Sequence, residues 1–140
     1  FGSDVANKNY NFMKNVLSQL PNKHKVTVIN PPSDMESFNI VNTETHDETL
    51  EVLSNNEIYF HASEHETVGL PLYEAQNLGL KVVAPISSYT QYFSPESVFL
   101  YNINDRDDAL KKLDDAKSSS IEKIETLNYS ENWKIVLDNI

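Results

Sequence analysis

Residues 58–84 read I-Y-F-H-A-S-E-H-E-T-V-G-L-P-L-Y-E-A-Q-N-L-G-L-K-V-V-A, and this stretch decides the fold of the chain. The β-favouring residues at its start predict a short strand over 58–61. A polar loop follows over 63–69, and the apolar spacing after it predicts a helix over 71–78. The apolar run at 82–84 predicts a second, buried strand. The stretch is therefore expected to form a strand–loop–helix–strand unit.

Both ends of the predicted helix carry their own signals. Pro71 suits the first helical position, where a missing N–H costs nothing. Gly79 suits the left-handed residue that stops a helix after its last turn. Such a unit points the free N–H groups of the helix, and their partial positive charge, at the carboxyl edge of the sheet. Open α/β sheets bind anionic ligands at that edge.

Two carboxylates flank the expected anion site, Glu66 in the loop and Glu74 early in the helix. An acid edge is unusual for a bare phosphate, but a carboxylate is a pure hydrogen-bond acceptor and binds sugar hydroxyls well. The pair therefore predicts a ligand that carries both phosphate and sugar. The alternative interpretation makes Glu74 a first-turn acid that favours the helix dipole, and Glu66 a solvated loop residue.

The segment E-T-V-G-L-P-L-Y-E-A, followed by G-L-K-V-V-A, resembles the donor-binding signature of family-4 retaining glycosyltransferases of the GT-B fold. The resemblance implies that Glu66 contacts the donor sugar at the catalytic centre and that Glu74 holds the ribose hydroxyls. It also implies main-chain contacts to the sugar and the diphosphate from Thr67, Val68, Gly69 and Leu70. The resemblance covers most of the chain and implies a Rossmann-like half of a GT-B enzyme, its C-terminal donor-binding domain.

The first nine residues, F-G-S-D-V-A-N-K-N, extend the resemblance. The family usually has a Gly, then a basic residue and later a Lys, and Gly2 and Lys8 match that pattern. Lys8 would neutralise the donor diphosphate, and an ordinary surface lysine is the alternative. Ser3 stands where the family has Arg, so a hydroxyl would replace a charged donor at the phosphates. The opening looks like the end of a strand entering a loop, and we expect a fragment of a longer two-domain enzyme.

The loop before the predicted helix at 47–53 is the expected place of the nucleobase. In the family that the sequence resembles, the base lies against this loop. The resemblance therefore implies that Glu44 and Thr45 contact the base. The alternative is that Thr45 only caps the helix, because Ser and Thr are strongly preferred at that position.

Alternating strand and helix signals continue through the rest of the chain. Further strands are predicted over 25–30, 38–41 and 97–101, and further helices over 10–20, 104–116 and 121–140. Repeated β-then-α elements predict an α/β fold with a doubly wound, mostly parallel sheet. Residues 1–140 contain 39% hydrophobic residues and are expected to form a single domain with a sizeable core.

Composition narrows the classes of partner. The formal net charge of −10 argues against nucleic acid and against a basic membrane-facing surface. Cysteine is absent, so the sequence has no disulfide and no thiolate metal site. No run approaches the roughly 20 apolar residues that cross a bilayer. These features favour a cytoplasmic protein, with any peripheral contact to the inner face of the membrane made by the absent domain.

Two motifs offer metal chemistry as a rival interpretation. Asp105-Arg106-Asp107 matches the Asp-x-Asp motif by which another transferase architecture holds a divalent cation, but acids also crowd the first turn of a helix for capping and dipole reasons. His61 and His65 straddle a strand end and a loop, so they need not face each other. We expect a satisfied or solvated histidine at each position, with His65 able to reach donor hydroxyls. No metal and no cofactor are expected.

The resemblance implies retaining transfer of a hexose or N-acetylhexosamine from a nucleoside diphosphate, UDP by preference, to a glycan or lipid-linked acceptor such as an O-antigen precursor in lipopolysaccharide biosynthesis. The acceptor site is expected in the missing N-terminal domain, so the isolated chain should bind donor without transferring sugar. Two other classes stay open. One is a non-catalytic nucleotide-binding module, and the other is a flavodoxin-like or receiver-like regulatory domain. The latter needs an aspartate at the end of an early strand, where K-V-T-V-I-N ends in Asn.

Overall fold

Strands and helices alternate along the chain in a computed structural model, which describes residues 9–31, 37–66, 69–91, 93 and 98–119. Within these residues the helices are α1 (Tyr10–Leu17), α2 (His46–Ser54), α3 (Leu70–Asn77) and α4 (Arg106–Ser118). The strands are β1 (Thr27–Ile29), β2 (Asn39–Val41), β3 (Ile58–Phe60), β4 (Lys81–Pro85) and β5 (Val98–Tyr101), and a 3-10 turn, Lys23–Lys25, precedes β1. Each element predicted inside the described ranges is present, with ends that differ by a few residues. The helix predicted over 121–140 lies outside the described residues.

All strand pairs that the structure describes are parallel, and they form two sheets. β1 pairs with β2, while β4 lies between β3 and β5 in a separate three-stranded sheet. The predicted α/β class with parallel strands flanked by helices is confirmed. Among the described residues, β1 and β3 are not hydrogen-bonded to each other. A cavity of about 1100 Å³ lies along both of these strands and is lined by side chains of all four described helices, including Glu74 of α3.

The core is divided by the three-stranded sheet into two layers. Val82 and Ala84 of β4 pack with Leu72 and Ala75 of α3 on one face. Val83 points the other way and packs against residues of α1 and α4. These three strand residues are fully buried, as expected of a central parallel strand covered by helices on both faces. Alternation along β4 therefore produces the doubly wound layering that the sequence predicts.

Helix α3 stops in the way that Gly79 predicts. Gly79 has a φ of 83°, a left-handed conformation that costs a glycine little. Its N–H donates to the Gln76 carbonyl at 2.9 Å, and the Leu80 N–H donates to the Ala75 carbonyl at 2.9 Å. This pair of bonds is the Schellman arrangement, which satisfies carbonyls of the last turn. The chain is thereby turned directly into β4.

None of the described helices has the length and apolar character that a bilayer-spanning segment requires.

Candidate functional site

Gly69 forms the start of α3 and fixes the shape of the loop before it. It has a φ of 77° and is buried. A Cβ at this position would lie 3.2 Å from Leu72 Cδ1 and 3.3 Å from Tyr89 Cδ2. Any other residue would therefore combine a strained backbone with crowding. The helix starts at Leu70, one residue before the predicted first position, so Pro71 lies second.

The first turn of α3 presents main-chain donors without a side-chain cap. Gly69 is the N-cap residue and has no side chain to accept from the N–H groups of the turn. The Leu72 N–H bends back to the Gly69 carbonyl at 3.0 Å, and Pro71 has no N–H to satisfy. Uncapped N–H groups at a helix start favour an anion through hydrogen bonding and through the helix dipole. Leu70 is half exposed at this end of the helix.

Glu74 lies one turn into α3 and is buried, with 4% of its surface exposed. Its Oε1 lies 3.2 Å from Nε2 of His46, the first residue of α2, which is half exposed. Burial raises the pKa of the Glu74 carboxyl above its ordinary value, and the charge of His46 offsets part of that rise. A buried carboxylate beside a partly solvated imidazole is well placed to accept hydrogen bonds from a ligand that enters from the His46 side.

Glu66 forms a second contact with a histidine, in the loop after β3. Its Oε1 lies 3.5 Å from Nε2 of His61, which is buried. The His61 Nδ1 lies 3.2 Å from the Tyr59 hydroxyl. Among the described residues Nε2 has no hydrogen-bond partner, since the Glu66 contact falls outside hydrogen-bond geometry. The expectation of a satisfied or solvated His61 is therefore wrong for one of its two ring nitrogens.

The Tyr59 hydroxyl lies within the electrostatic reach of both acids. Burial raises the pKa of Tyr59 far above its ordinary value, and the negative charges of Glu66 and Glu74 raise it further. Both carboxylates therefore act electrostatically on the same phenol in β3.

Tyr89 holds the loop after β3 from the opposite side. Its hydroxyl donates to the Ser63 carbonyl, and its ring meets the His61 ring edge-on with 5.9 Å between centroids. Tyr89 is buried and packs, so it supports the loop and Gly69 rather than presenting a face to a ligand.

The proposed nucleobase residues serve the local structure of α2. The Thr45 hydroxyl accepts from the Glu48 N–H at 3.2 Å and completes a capping box. Glu44 is exposed, and its N–H donates to the Glu48 carboxylate at 2.7 Å. The capping alternative for Thr45 is thus present in the structure. Five further predicted site residues lie outside the described residues, namely Gly2, Ser3, Lys8, Thr67 and Val68.

The acidic motif at the start of α4 has a structural role. Asp105 caps the helix by accepting from the Asp108 N–H at 3.0 Å. Asp107 is largely exposed and lies 3.6 Å from Arg106. His65 is exposed, and its carbonyl accepts from the Ser63 hydroxyl at 3.0 Å. In the part of the chain that the structure describes, no three acidic or histidine side chains are grouped as metal ligands.

Comparison with solved structures identifies the fold. The chain superposes on the crystal structure of the catalytic domain of cholesterol-alpha-glucosyltransferase from Helicobacter pylori with a TM-score of 0.66 and 19% identity. The match covers 96% of this chain and 92% of that chain. This chain has the Rossmann-like fold of one half of a GT-B enzyme. At this identity the GT-B likeness establishes architecture, and no family model and no curated protein matches the sequence.

Three residues of the candidate site were not predicted as site residues from the sequence. Tyr59 and His61 are two apart on a strand, which places them on one face, and that alternation could have paired them. His46 gave no such signal, because its contact with Glu74 depends on how α2 packs beside α3.

Proposed function

We propose that this chain binds a nucleoside-diphosphate sugar and serves as the donor-binding domain of a retaining glycosyltransferase. The proposal is supported by the start of α3, which has no side-chain cap, and by the two carboxylates Glu66 and Glu74, which both act electrostatically on Tyr59. The N–H groups at the helix start can bind a diphosphate, and the two carboxylates can accept hydrogen bonds from the ribose and sugar hydroxyls on either side of it. The likeness to a glucosyltransferase catalytic domain supports the same class of ligand.

Each part of the site has a role in the proposal. Glu74 accepts from the ribose hydroxyls, and its contact with His46 favours the charged form that such bonds need. Glu66 accepts from hydroxyls of the sugar and orients its anomeric carbon. The N–H groups of Gly69 and Leu70, together with those proposed for Thr67 and Val68, bind the diphosphate.

The reaction requires above all that the negative charge on the departing diphosphate be stabilised. The transition state carries positive charge on the sugar and negative charge on the leaving group, so fixed donors aimed at the phosphates lower the barrier. The α3 start supplies such donors, and Gly2, Ser3 and Lys8 are proposed to add to them. Glu44 and Thr45 are proposed to border the nucleobase. Thr45 would do so with main-chain groups, because its hydroxyl caps α2. The proposal assigns no metal to the reaction.

The donor is proposed to be UDP-hexose or UDP-N-acetylhexosamine, and the acceptor a glycan or lipid-linked intermediate of surface polysaccharide synthesis in the cytoplasm. A second domain would bring the acceptor to the donor. We therefore expect the 140-residue chain to bind donor and to transfer no sugar, and measurable transfer by this chain alone would contradict that division of labour.

Titration calorimetry with UDP, UDP-glucose and GDP-glucose tests the proposal. Glu74→Gln removes the charge but keeps the shape, and we expect it to weaken UDP and UDP-glucose about tenfold or more, since hydrogen bonds to charged groups contribute roughly 1.5–3 kcal/mol. Glu51→Gln is the matched control, because Glu51 is an exposed acid on α2. Equal effects of the two substitutions, or no binding by the wild type, would contradict the proposal. Equal affinity for UDP and UDP-glucose would favour a non-catalytic nucleotide-binding module.

A further inference from the structure

We infer that His61 is a positioning residue whose Nε2–H holds the Glu66 carboxylate in the orientation that accepts the donor's sugar hydroxyls, while its Nδ1 accepts from the Tyr59 hydroxyl. The inference rests on the proposed function for its ligand, but its tautomer can be measured without any ligand. His61 does not contact the sugar in this arrangement. It acts through Glu66.

The tautomer follows from the two groups that face the ring nitrogens of His61. The Tyr59 hydroxyl lies 3.2 Å from Nδ1 and can donate to it or accept from it. The Glu66 carboxylate lies 3.5 Å from Nε2 and, when charged, can only accept. A neutral imidazole has one N–H donor and one bare acceptor nitrogen. The proton is therefore favoured on Nε2, and Nδ1 accepts from the Tyr59 hydroxyl.

The resulting Nε2–H is a buried donor with one acceptor nearby. His61 is 5% exposed, and Nε2 has no hydrogen-bond partner among the described residues. The Glu66 Oε1 lies 3.5 Å away, just beyond a normal hydrogen bond. A buried donor without a partner is costly, so closure of this gap is favoured. Catalytic hydrogen bonds that are long in the empty site commonly tighten when a ligand binds.

The imidazole is more enclosed than the carboxylate. The main chain of His61 is anchored on both sides: its N–H donates to the Val83 carbonyl at 2.8 Å, and its carbonyl accepts from the Tyr101 hydroxyl at 2.8 Å. The Tyr89 ring meets the imidazole edge-on. The His61 side chain is 5% exposed and that of Glu66 is 18% exposed. We therefore expect Glu66 to adjust to His61 rather than the reverse.

The Glu66 carboxylate can accept a hydrogen bond from His61 and still accept others from a sugar. It has about four acceptor sites on two oxygens, so one bond from Nε2–H leaves capacity for sugar hydroxyls. The role predicted for His61 concerns the sugar and not the nucleotide. Loss of the Nε2 donor should therefore lower the affinity for UDP-glucose and leave that for UDP unchanged.

Binding of UDP-glucose and UDP to two variants of the whole chain tests that split. His61→Leu removes the donor from the buried position, and we expect the ratio of UDP-glucose to UDP affinity to fall about tenfold. His61→Gln keeps an N–H donor near the place of Nε2 and should restore the ratio to within about threefold of the wild type. Thermal unfolding of both variants reports their stability separately. Equal ratios for Leu and Gln, or a parallel loss of both ligands, would overturn the inference.

Imidazole ¹⁵N shifts of the ligand-free chain test the tautomer directly. We expect Nε2–H in the wild type and a mixture of tautomers in Tyr59→Phe. Tyr101→Phe is the matched control, since its hydroxyl bonds to the His61 carbonyl and not to the ring, and it should leave the tautomer unchanged. An Nδ1–H or doubly protonated ring in the wild type would overturn the inference.

The two failures can be told apart. If UDP-glucose binds the wild type and His61→Leu keeps the ratio, the inference fails while the proposed function stands. If the ring carries Nε2–H but neither UDP nor UDP-glucose binds, the proposed function fails and the role of His61 in sugar binding fails with it.

Discussion

The two carboxylate–histidine pairs at the site differ in which member is buried. In the Glu74–His46 pair the carboxylate is 5% exposed and the imidazole 46%. In the Glu66–His61 pair the carboxylate is 18% exposed and the imidazole 5%. The buried member of each pair is enclosed by protein, whereas its partner reaches solvent. From this difference we expect Glu74 to be a rigid acceptor and Glu66 an adjustable one.

This difference fits the two parts of a nucleotide-sugar. The ribose is common to all such donors of one nucleotide, and a rigid acceptor suits it. The sugar differs between donors and changes geometry during transfer, so an adjustable acceptor steered by a fixed histidine suits it. Burial also has an electrostatic consequence, because it penalises the charged form of Glu74 and leaves the half-exposed His46 to offset that penalty.

Gly69→Ala should give the largest effect, since Gly69 lies between the two pairs. A left-handed backbone and two close contacts should lower the free energy of unfolding by about 1–3 kcal/mol and abolish measurable UDP-glucose binding. Gly79→Ala is the control, because Gly79 has a similar φ of 83° at the other end of α3. It should lower stability and keep affinity. Chemical denaturation and calorimetry measure both, and loss of binding in the control alone would contradict the assignment.

Glu66→Gln should affect the affinity for UDP-glucose but not that for UDP, whereas Glu74→Gln should affect both. Because Glu66 is assigned to the sugar, the substitution should weaken UDP-glucose about tenfold and change UDP by less than about twofold. Glu74→Gln should weaken both ligands together. Calorimetric titration of the two variants with the two ligands provides the comparison. A loss of UDP affinity in Glu66→Gln equal to that in Glu74→Gln would remove the distinction between the pairs.

The smallest effect expected is the pH dependence of stability. Burial raises the pKa of Glu74 in the folded state above its unfolded value of about 4.3. Between these two values the folded protein binds more protons than the unfolded chain, so stability falls as the pH rises and stays lower above the folded value.

Glu74→Gln should lack this fall. Denaturation from pH 4 to 7 should show wild-type stability declining relative to Glu74→Gln, with Glu51→Gln following the wild type. A wild type that gains stability relative to Glu74→Gln over this range would contradict the burial of a charged Glu74.

The sequence predicted the elements more fully than the contacts between them. Pro71 and Gly79 marked the ends of the helix α3, and the continuous apolar run V-V-A in β4 predicted a buried strand. These signals are local, so they can be interpreted without knowing the fold. The separation of β1 from β3 was not predicted, because a strand pattern does not say which strand lies beside it. Donor sugar, acceptor and partner domain stay predictions.

The histidines show where local patterns stop being informative. His61 looked like a satisfied or solvated residue, since nothing in the chain indicated that Nδ1 would be paired and Nε2 would not. His46 follows a capping residue, and its sequence neighbours predict only a helix start. Its contact with Glu74 arises from the packing of α2 beside α3. Both acids could be predicted from spacing and resemblance, but the partner that distinguishes each acid could not.

The measurement closest to the central claim is a crystal structure of this chain with UDP-glucose. We predict diphosphate oxygens within hydrogen-bonding distance of the N–H groups at the start of α3, ribose hydroxyls on Glu74, and sugar hydroxyls on Glu66. A ligand bound elsewhere, or a diphosphate at this helix with neither carboxylate touching a hydroxyl, would contradict the account.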